Sequence, residues 1–205
     1  MIETRTLTIS ADEALNRLLE GNRRFAANKA INPHRSEARR QEIVTGQHPF
    51  AIILGCVDSR VPPELIFDQG LGDLFVIRSA GQVIDDAVLG SIEFGVAELG
   101  IPLIMVLGHS SCGAVTATVE TLEENLPTEG SIGKLVENIE PAVHQAARHG
   151  QELIDAAARI NVALEINKLN RSPLLSAAMK EAKLKIVGAF YDLSTGLVEI
   201  LDLNN

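Results

Sequence analysis

Cys56, Asp58 and Arg60 close the run Ala51-Ile-Ile-Leu-Gly-Cys-Val-Asp-Ser-Arg60, and His109 and Cys112 stand three residues apart in Gly108-His-Ser-Ser-Cys-Gly-Ala114. Two thiols and an imidazole form a Cys2His donor set whose softness and tetrahedral preference suit Zn²⁺. Three protein ligands leave one coordination position open, which marks a catalytic rather than a structural zinc site. Taken singly, each cysteine is ordinary buried filler and the histidine an ordinary loop residue. The case for a metal is that all three fall at one edge of the expected fold. Asp58 and Arg60 alone would be a surface ion pair. Beside a metal, the carboxylate can accept a hydrogen bond from metal-bound water while Arg60 keeps it ionised and oriented. Asp58 can equally bind the metal itself and close the site, and sequence leaves both poses open.

The elements that must position these groups follow from the hydrophobic pattern. Ala51 to Cys56 reads as a buried strand of a parallel sheet, with its polar continuation emerging at the carboxyl end, where open α/β sheets keep their active sites. If the chain stays extended, a period of two puts Cys56, Asp58 and Arg60 on one side. Further strands are expected at 73–78, 103–107 and 185–191, and Asp192-Leu-Ser-Thr-Gly196 returns the chain as a hairpin into 197–201. His109 and Cys112 follow the third strand, and a helix starting near Ser110 or Ser111 would put both on one face of its first turn.

Helices fill the intervals. Ser10 and Glu13 form a capping-box pattern that opens a helix with Ala14, Leu15, Leu18, Leu19, Asn22 and Phe25 at three-four spacing. Some twenty polar residues separate this helix from the first strand, which suggests an arm reaching to another subunit instead of its own core. Val61-Pro-Pro-Glu64 stops the first strand and can start a helix. Helical spacing recurs over 85–99, over 131–149 with an interruption at Pro141, over 151–170, and after Ser172-Pro173 to about Lys183. The predicted class is α/β: a mostly parallel sheet of four strands plus an antiparallel edge strand, helices on both faces and an N-terminal helical arm. The chain reads as a single domain over 1–205, with the arm at 1–48 and the α/β core at 49–205.

Composition bounds the rest. The 205 residues suffice for one core without staples. A net charge of -9, from 18 Lys and Arg against 27 Asp and Glu, argues against nucleic acid and anionic membranes as partners. No apolar run approaches a bilayer span, and MIETRTLTIS lacks the basic start and apolar stretch of a secretory signal, so a cytoplasmic location is expected. Two cysteines are too few for a disulfide framework. Gly70-Leu-Gly72 lacks the third glycine of a dinucleotide loop, and no Gly-Lys-Ser/Thr phosphate loop is present. His34, His48, His144 and His149 sit in polar or helical surroundings and read as exposed.

Cys56-Val-Asp-Ser-Arg60 together with His109-Ser-Ser-Cys112-Gly resembles the β-class carbonic anhydrases. The resemblance extends to Gly21-Asn-Arg-Arg-Phe25, Gly46-Gln-His-Pro-Phe50, Gly72-Asp-Leu-Phe75, Arg78-Ser-Ala-Gly81 and Gly108-His-Ser-Ser-Cys-Gly-Ala-Val115, covering residues 10 to 120 strongly and the final hairpin more loosely. It implies one Zn²⁺ per chain on Cys56, His109 and Cys112, and a catalytic dyad of Asp58 and Arg60. It also implies a substrate-oxygen contact from Gln47, an apolar CO₂ pocket from Phe75, Ala80 and Phe94, and a small residue, Gly113, beside the metal. Family members are built on a dimer, so a homodimer or homotetramer is implied, with Gln47 and Phe94 facing the neighbouring subunit's zinc. A tyrosine is common where this chain has Phe94. Members regulated by bicarbonate often carry a tryptophan three residues before the first cysteine, where this chain has Ile53, and the sequence has no Trp.

The implied reaction is reversible hydration of CO₂ to bicarbonate and a proton through a zinc-bound hydroxide. Two thiolates offset the metal's charge, so activity should rise on the alkaline side of neutrality. Carbonyl sulfide or carbon disulfide as substrates, and a noncatalytic zinc protein closed by Asp58, remain alternatives at this stage. A dithiol redox role is disfavoured because the cysteines lack Cys-x-x-Cys spacing.

Overall fold

The computed structural model describes residues 9–146 and 153–202. Five strands, β1 (Ala51–Cys56), β2 (Leu74–Ser79), β3 (Leu103–His109), β4 (Lys185–Tyr191) and β5 (Val198–Ile200), form one sheet in the order β2-β1-β3-β4-β5. The first four are mutually parallel and β5 pairs antiparallel with β4, as the sequence predicts. The chain leaves β1 for β2 on one side and then crosses to β3 on the other. The direction of winding therefore reverses between β1 and β3, making their carboxyl ends the switch point at which open α/β sheets place their sites. Cys56 is the last residue of β1 and His109 the last of β3.

Both faces of the sheet are covered, which is why β1 and β3 are buried at every position and read as near-continuous apolar runs rather than alternating ones. On one face Ala51, Ile53, Leu103, Met105 and Leu107 pack against Ala14 and Leu18 of α1 (Ala11–Ala26). On the other, Ile52, Leu54, Ile104 and Val106 meet Ile92 of α4 (Asp86–Ala97) and Val162 and Ile166 of α7 (Leu153–Asn170). The short helices α2 (Glu37–Glu42) and α3 (Pro63–Ile66) lie on either side of β1 in sequence. A third apolar cluster caps the carboxyl end of the sheet. It gathers Cys56 and Cys112 with Val115 of α5 (Gly113–Glu124), Ile139 and Val143 of α6 (Ile132–Ala146), and Ala157 and Ala158 of α7. Ser172 caps α8 (Pro173–Lys180).

Three expectations change. The first helix is capped as read, with Ser10 and Glu13 exchanging bonds, but it does not leave its own core: α1 lies on its own sheet with Ala14 and Leu18 fully buried. Asn22 locks it there, donating to the carbonyls of Ile66 (3.3 Å) and Gly196 (2.9 Å) and accepting from the Val198 N–H (2.8 Å). The approach is close enough that a Cβ on Gly21 would lie 1.8 Å from the Phe67 carbonyl oxygen. Second, α6 runs through Pro141 without interruption, its apolar positions Val136, Ile139, Ala142 and Val143 remaining on the buried side. Third, the helix after β3 starts at Gly113 with Cys112 at its N-cap, because Ser111 takes a left-handed conformation (φ 51°) that turns the chain first. The expected helix over 131–149 and the start of that over 151–170 extend into 147–152, outside the described residues, as does His149.

Candidate metal centre

Cys56 stands at the end of β1, His109 at the end of β3 and Cys112 at the N-cap of α5. Their sulfur and nitrogen donor atoms all lie within 4.8 Å of one another, and all three residues are buried. His109 and Cys112 thus converge without sharing a helical turn, since the left-handed Ser111 between them folds Cys112 back towards the strand end. Asp155 of α7 holds that turn by accepting from the Ser111 N–H at 2.8 Å.

The donor set fits a metal ion. Nδ1 of His109 donates to the Ser110 carbonyl (2.9 Å), the tautomer that leaves Nε2 with a bare lone pair. Nε2 is buried and has no partner among the described residues, a costly state for a polar atom that a bound cation relieves. The sulfurs show the same need. The Cys112 thiol donates towards Cys56, which pushes the Cys56 thiol below its ordinary range and Cys112 above it, so the pair shares one proton. A divalent cation lets both sulfurs ionise at once.

Asp58 and Arg60 stand at the mouth of this cluster. The period of two stops at the end of β1, and an Asx turn brings the pair together instead, the Arg60 N–H donating to Oδ1 of Asp58 at 2.9 Å. The guanidinium adds Nε to Oδ1 (3.0 Å) and Nη2 to Oδ2 (2.7 Å), and Nη2 also donates to the Ser111 carbonyl (3.3 Å). Hydrogen bonding from Arg60 holds the Asp58 carboxyl down to about 2, so it is ionised at neutral pH. Oδ2 lies 4.0 Å from Nε2 of His109, on the side of the donor cluster.

The remaining expected residues divide. Ala80 follows β2 directly and neighbours Gly81, whose N–H donates to the Cys56 sulfur at 3.4 Å. Gly113 opens α5 with free space where its Cβ would be, whereas Phe75, half-buried on β2 beside Ile52, lies about 13 Å along the sheet from the level of Cys56 and is not brought to the cluster. Gln47 and Phe94 are exposed and are not gathered around the cluster. Gln47 precedes the amino end of β1, so the length of that strand, about 17–20 Å, separates it from Cys56. Of the other histidines, His34, His48 and His144 are exposed as expected, and His34 also bonds the buried carboxylate of Asp73 at 2.8 Å.

Arg78 was not singled out for a task by the sequence. From β2 it donates through Nε to the Cys56 carbonyl (2.7 Å) and through Nη2 to the Asp58 carbonyl (2.6 Å), fixing the backbone that carries both side chains. The signal is a lone cation at the end of Leu-Phe-Val-Ile. Asn161 gives a similar one, an amide among Ala157, Ala158 and Val162 on the buried face of α7. It donates to the Gly81 carbonyl at 2.8 Å.

Among the described residues, no helix is long and apolar enough to cross a membrane. Residues 51–198 match the family described as carbonic anhydrase. The carbonic anhydrase of Mycolicibacterium smegmatis is 42% identical over 184 residues, spanning 89% of this chain and 89% of that protein. Carbonic anhydrase 2 of Mycobacterium tuberculosis is 44% identical over 186 residues, spanning 90% of each. Among solved structures, a tetrameric β-carbonic anhydrase from Sordaria macrospora superposes with a TM-score of 0.73 at 26% identity, covering 91% of this chain and 96% of that one.

Proposed function

This chain belongs to the β-carbonic anhydrase family, and from that premise we propose that it hydrates CO₂ reversibly to bicarbonate and a proton, at a zinc ion held by Cys56, His109 and Cys112. The observation that carries the reading is the convergence of the three buried donor atoms within 4.8 Å, with an ionised carboxylate at their edge. Zinc bound there supplies the Lewis acidity that makes water a nucleophile near neutral pH.

The chain's own residues do the rest. Arg60 fixes the Asp58 carboxylate from one side, leaving Oδ2 directed at the cluster and able to accept a further hydrogen bond. Asp58 therefore orients the attacking oxygen by accepting its proton in a hydrogen bond, so that a lone pair faces the carbon of CO₂. Arg78 keeps the backbone of Cys56 and Asp58 in register, and so sets the spacing between ligand and acceptor. Ala80, next to the Gly81 N–H that meets Cys56, forms the apolar side against which CO₂ rests. Asp58 acts here as an acceptor rather than a metal ligand, Arg60 holding its carboxylate with Oδ2 4.0 Å from Nε2 of His109.

The working unit in this reading is a homo-oligomer. Gln47 and Phe94 stand away from their own centre, exposed, and serve the centre of a neighbouring copy, Gln47 as donor to a substrate oxygen and Phe94 as apolar wall. Within each copy we read the chain as one domain, with α1 seated on the same sheet that carries the metal ligands. Two unbridged thiols as ligands suit a reducing compartment, and we place the protein in the cytoplasm.

The test is oxygen-18 exchange from labelled CO₂ into water by the purified protein. Catalysed exchange that disappears on chelation and returns with Zn²⁺ supports the reading. Exchange no faster than in buffer from zinc-loaded protein, with turnover of carbonyl sulfide in its place, would overturn it.

A further inference from the structure

Helix α7 sends two buried polar side chains, one turn apart on the same face, to the backbone that follows β2. Nδ2 of Asn161 donates to the Gly81 carbonyl at 2.8 Å, and Oε2 of Glu165 accepts from the Ile84 N–H at 3.1 Å. Both residues are fully buried. Lys168 braces Glu165 in turn, its Nζ lying 2.8 Å from Oε1.

The segment held in this way carries the contact to Cys56. Two peptide groups meet at Gly81: the one before it donates its N–H to the Cys56 sulfur at 3.4 Å, and the one after it is anchored by Asn161. Gly81 has a left-handed backbone (φ 62°), and a Cβ on it would lie 2.7 Å from Cδ1 of Ile139. Position and conformation at Gly81 are therefore both narrow, and the direction of its N–H depends on what grips its carbonyl. Helix packing does not account for the amide of Asn161. Its Oδ1 is buried without a partner among the described residues, a penalty that an apolar side chain of similar volume would avoid.

We propose that Asn161 is a positioning residue for the metal ligand Cys56, fixing the Gly81 N–H on its sulfur so that the thiolate donates less charge to the metal, with Glu165 steadying the same segment. The inference rests on Cys56, His109 and Cys112 being a metal site. A hydrogen bond to a ligating sulfur draws electron density from it, and partners of this kind typically change metal affinity by about 10–100-fold when removed.

The experiment uses the full-length protein loaded with Co²⁺, whose sulfur-to-cobalt charge-transfer absorption reports the electron richness of the thiolates. Asn161→Leu removes the donor at similar volume, and Asn161→Asp keeps the shape but presents an acceptor to the Gly81 carbonyl. Both should move the band to lower energy, because the freed sulfur is more electron-rich, and change Co²⁺ affinity by about tenfold or more in competition with a chromophoric chelator. Leu169→Ala, which truncates a fully buried side chain two turns along α7, should lower thermal stability and leave the band in place. Folded Asn161 variants with the wild-type band and affinity would overturn the inference, as would a Leu169→Ala protein whose band moves equally. If neither Asn161 variant folds, the residue is structural and the inference fails. A wild-type protein with no thiolate-to-cobalt band would instead sink the metal site itself.

Discussion

Both carboxylate oxygens of Asp58 are engaged by Arg60, Oδ1 by the backbone N–H and Nε and Oδ2 by Nη2 at 2.7 Å, while Oδ2 stands 4.0 Å from the unpartnered Nε2 of His109. The carboxylate is thus tethered from outside and presented to the donor cluster without joining it. Replacing it by the isosteric amide separates its two possible tasks. Asp58→Asn should lower the turnover number by about 10²-fold or more while the zinc content stays that of the wild type. Metal analysis of the variant is the check, and loss of zinc would make the carboxylate a ligand.

The cysteines should behave in the opposite way. Cys56→Ser and Cys112→Ser exchange a soft ligand for a hard one, so the zinc dissociation constant should rise by about tenfold or more and activity should fall with occupancy. Equilibrium dialysis against a zinc buffer reads this directly. Full zinc content in either variant would remove that residue from the site.

The exposed positions of Gln47 and Phe94 predict complementation between subunits. If Gln47 serves the neighbour's site as proposed, Gln47→Ala should leave the metal centre intact and impair that site, and Cys112→Ser should do the reverse. In a dimer with sites shared this way, each mixed pair contains one complete site. Refolding the two inactive proteins together at equal amounts should therefore restore about a quarter of wild-type activity. No recovery from protein shown to have exchanged subunits would place Gln47 elsewhere.

Acid stability follows from Asp68, far from the metal ligands in the fold. Burial alone would raise its carboxyl, but the Arg24 guanidinium (2.7 Å) and the N–H groups of Ile31 and Asn32 outweigh burial and hold it below the ordinary carboxylate value. A depressed folded pKa contributes stability above the unfolded value of about 3.9, and that stability is lost as pH falls through the folded pKa. Asp68→Asn should therefore cost about 2 kcal/mol at pH 7, and the gap should close as the pH drops below about 4. Urea unfolding of both proteins across that range is the measurement, and a gap independent of pH would contradict the assignment.

The fold was largely legible because β1 and β3 are continuous apolar runs ended by glycine and chemistry-bearing residues, a pattern that fixes both strand type and active edge. What sequence could not supply was backbone conformation between elements. The left-handed Ser111 moves the start of α5 to Gly113, and the Asx turn at Asp58 replaces extended chain, yet both still deliver the expected side chains to one place. The seating of α1 on its own sheet was hidden because it depends on Asn22 meeting Gly196 and Val198, more than 170 positions along the chain. Arg78 and Asn161 escaped for the same reason, since each acts on a backbone group brought near only by the sheet and by α7.

The most direct test is stopped-flow CO₂ hydration on purified protein at about pH 7 and about pH 8.5, with zinc determined on the same sample. Turnover should be fast and increase with pH at one zinc per chain, as expected for a metal whose charge is offset by two thiolates. One zinc per chain with no turnover at either pH, or a rate unchanged between the two, would contradict this mechanism.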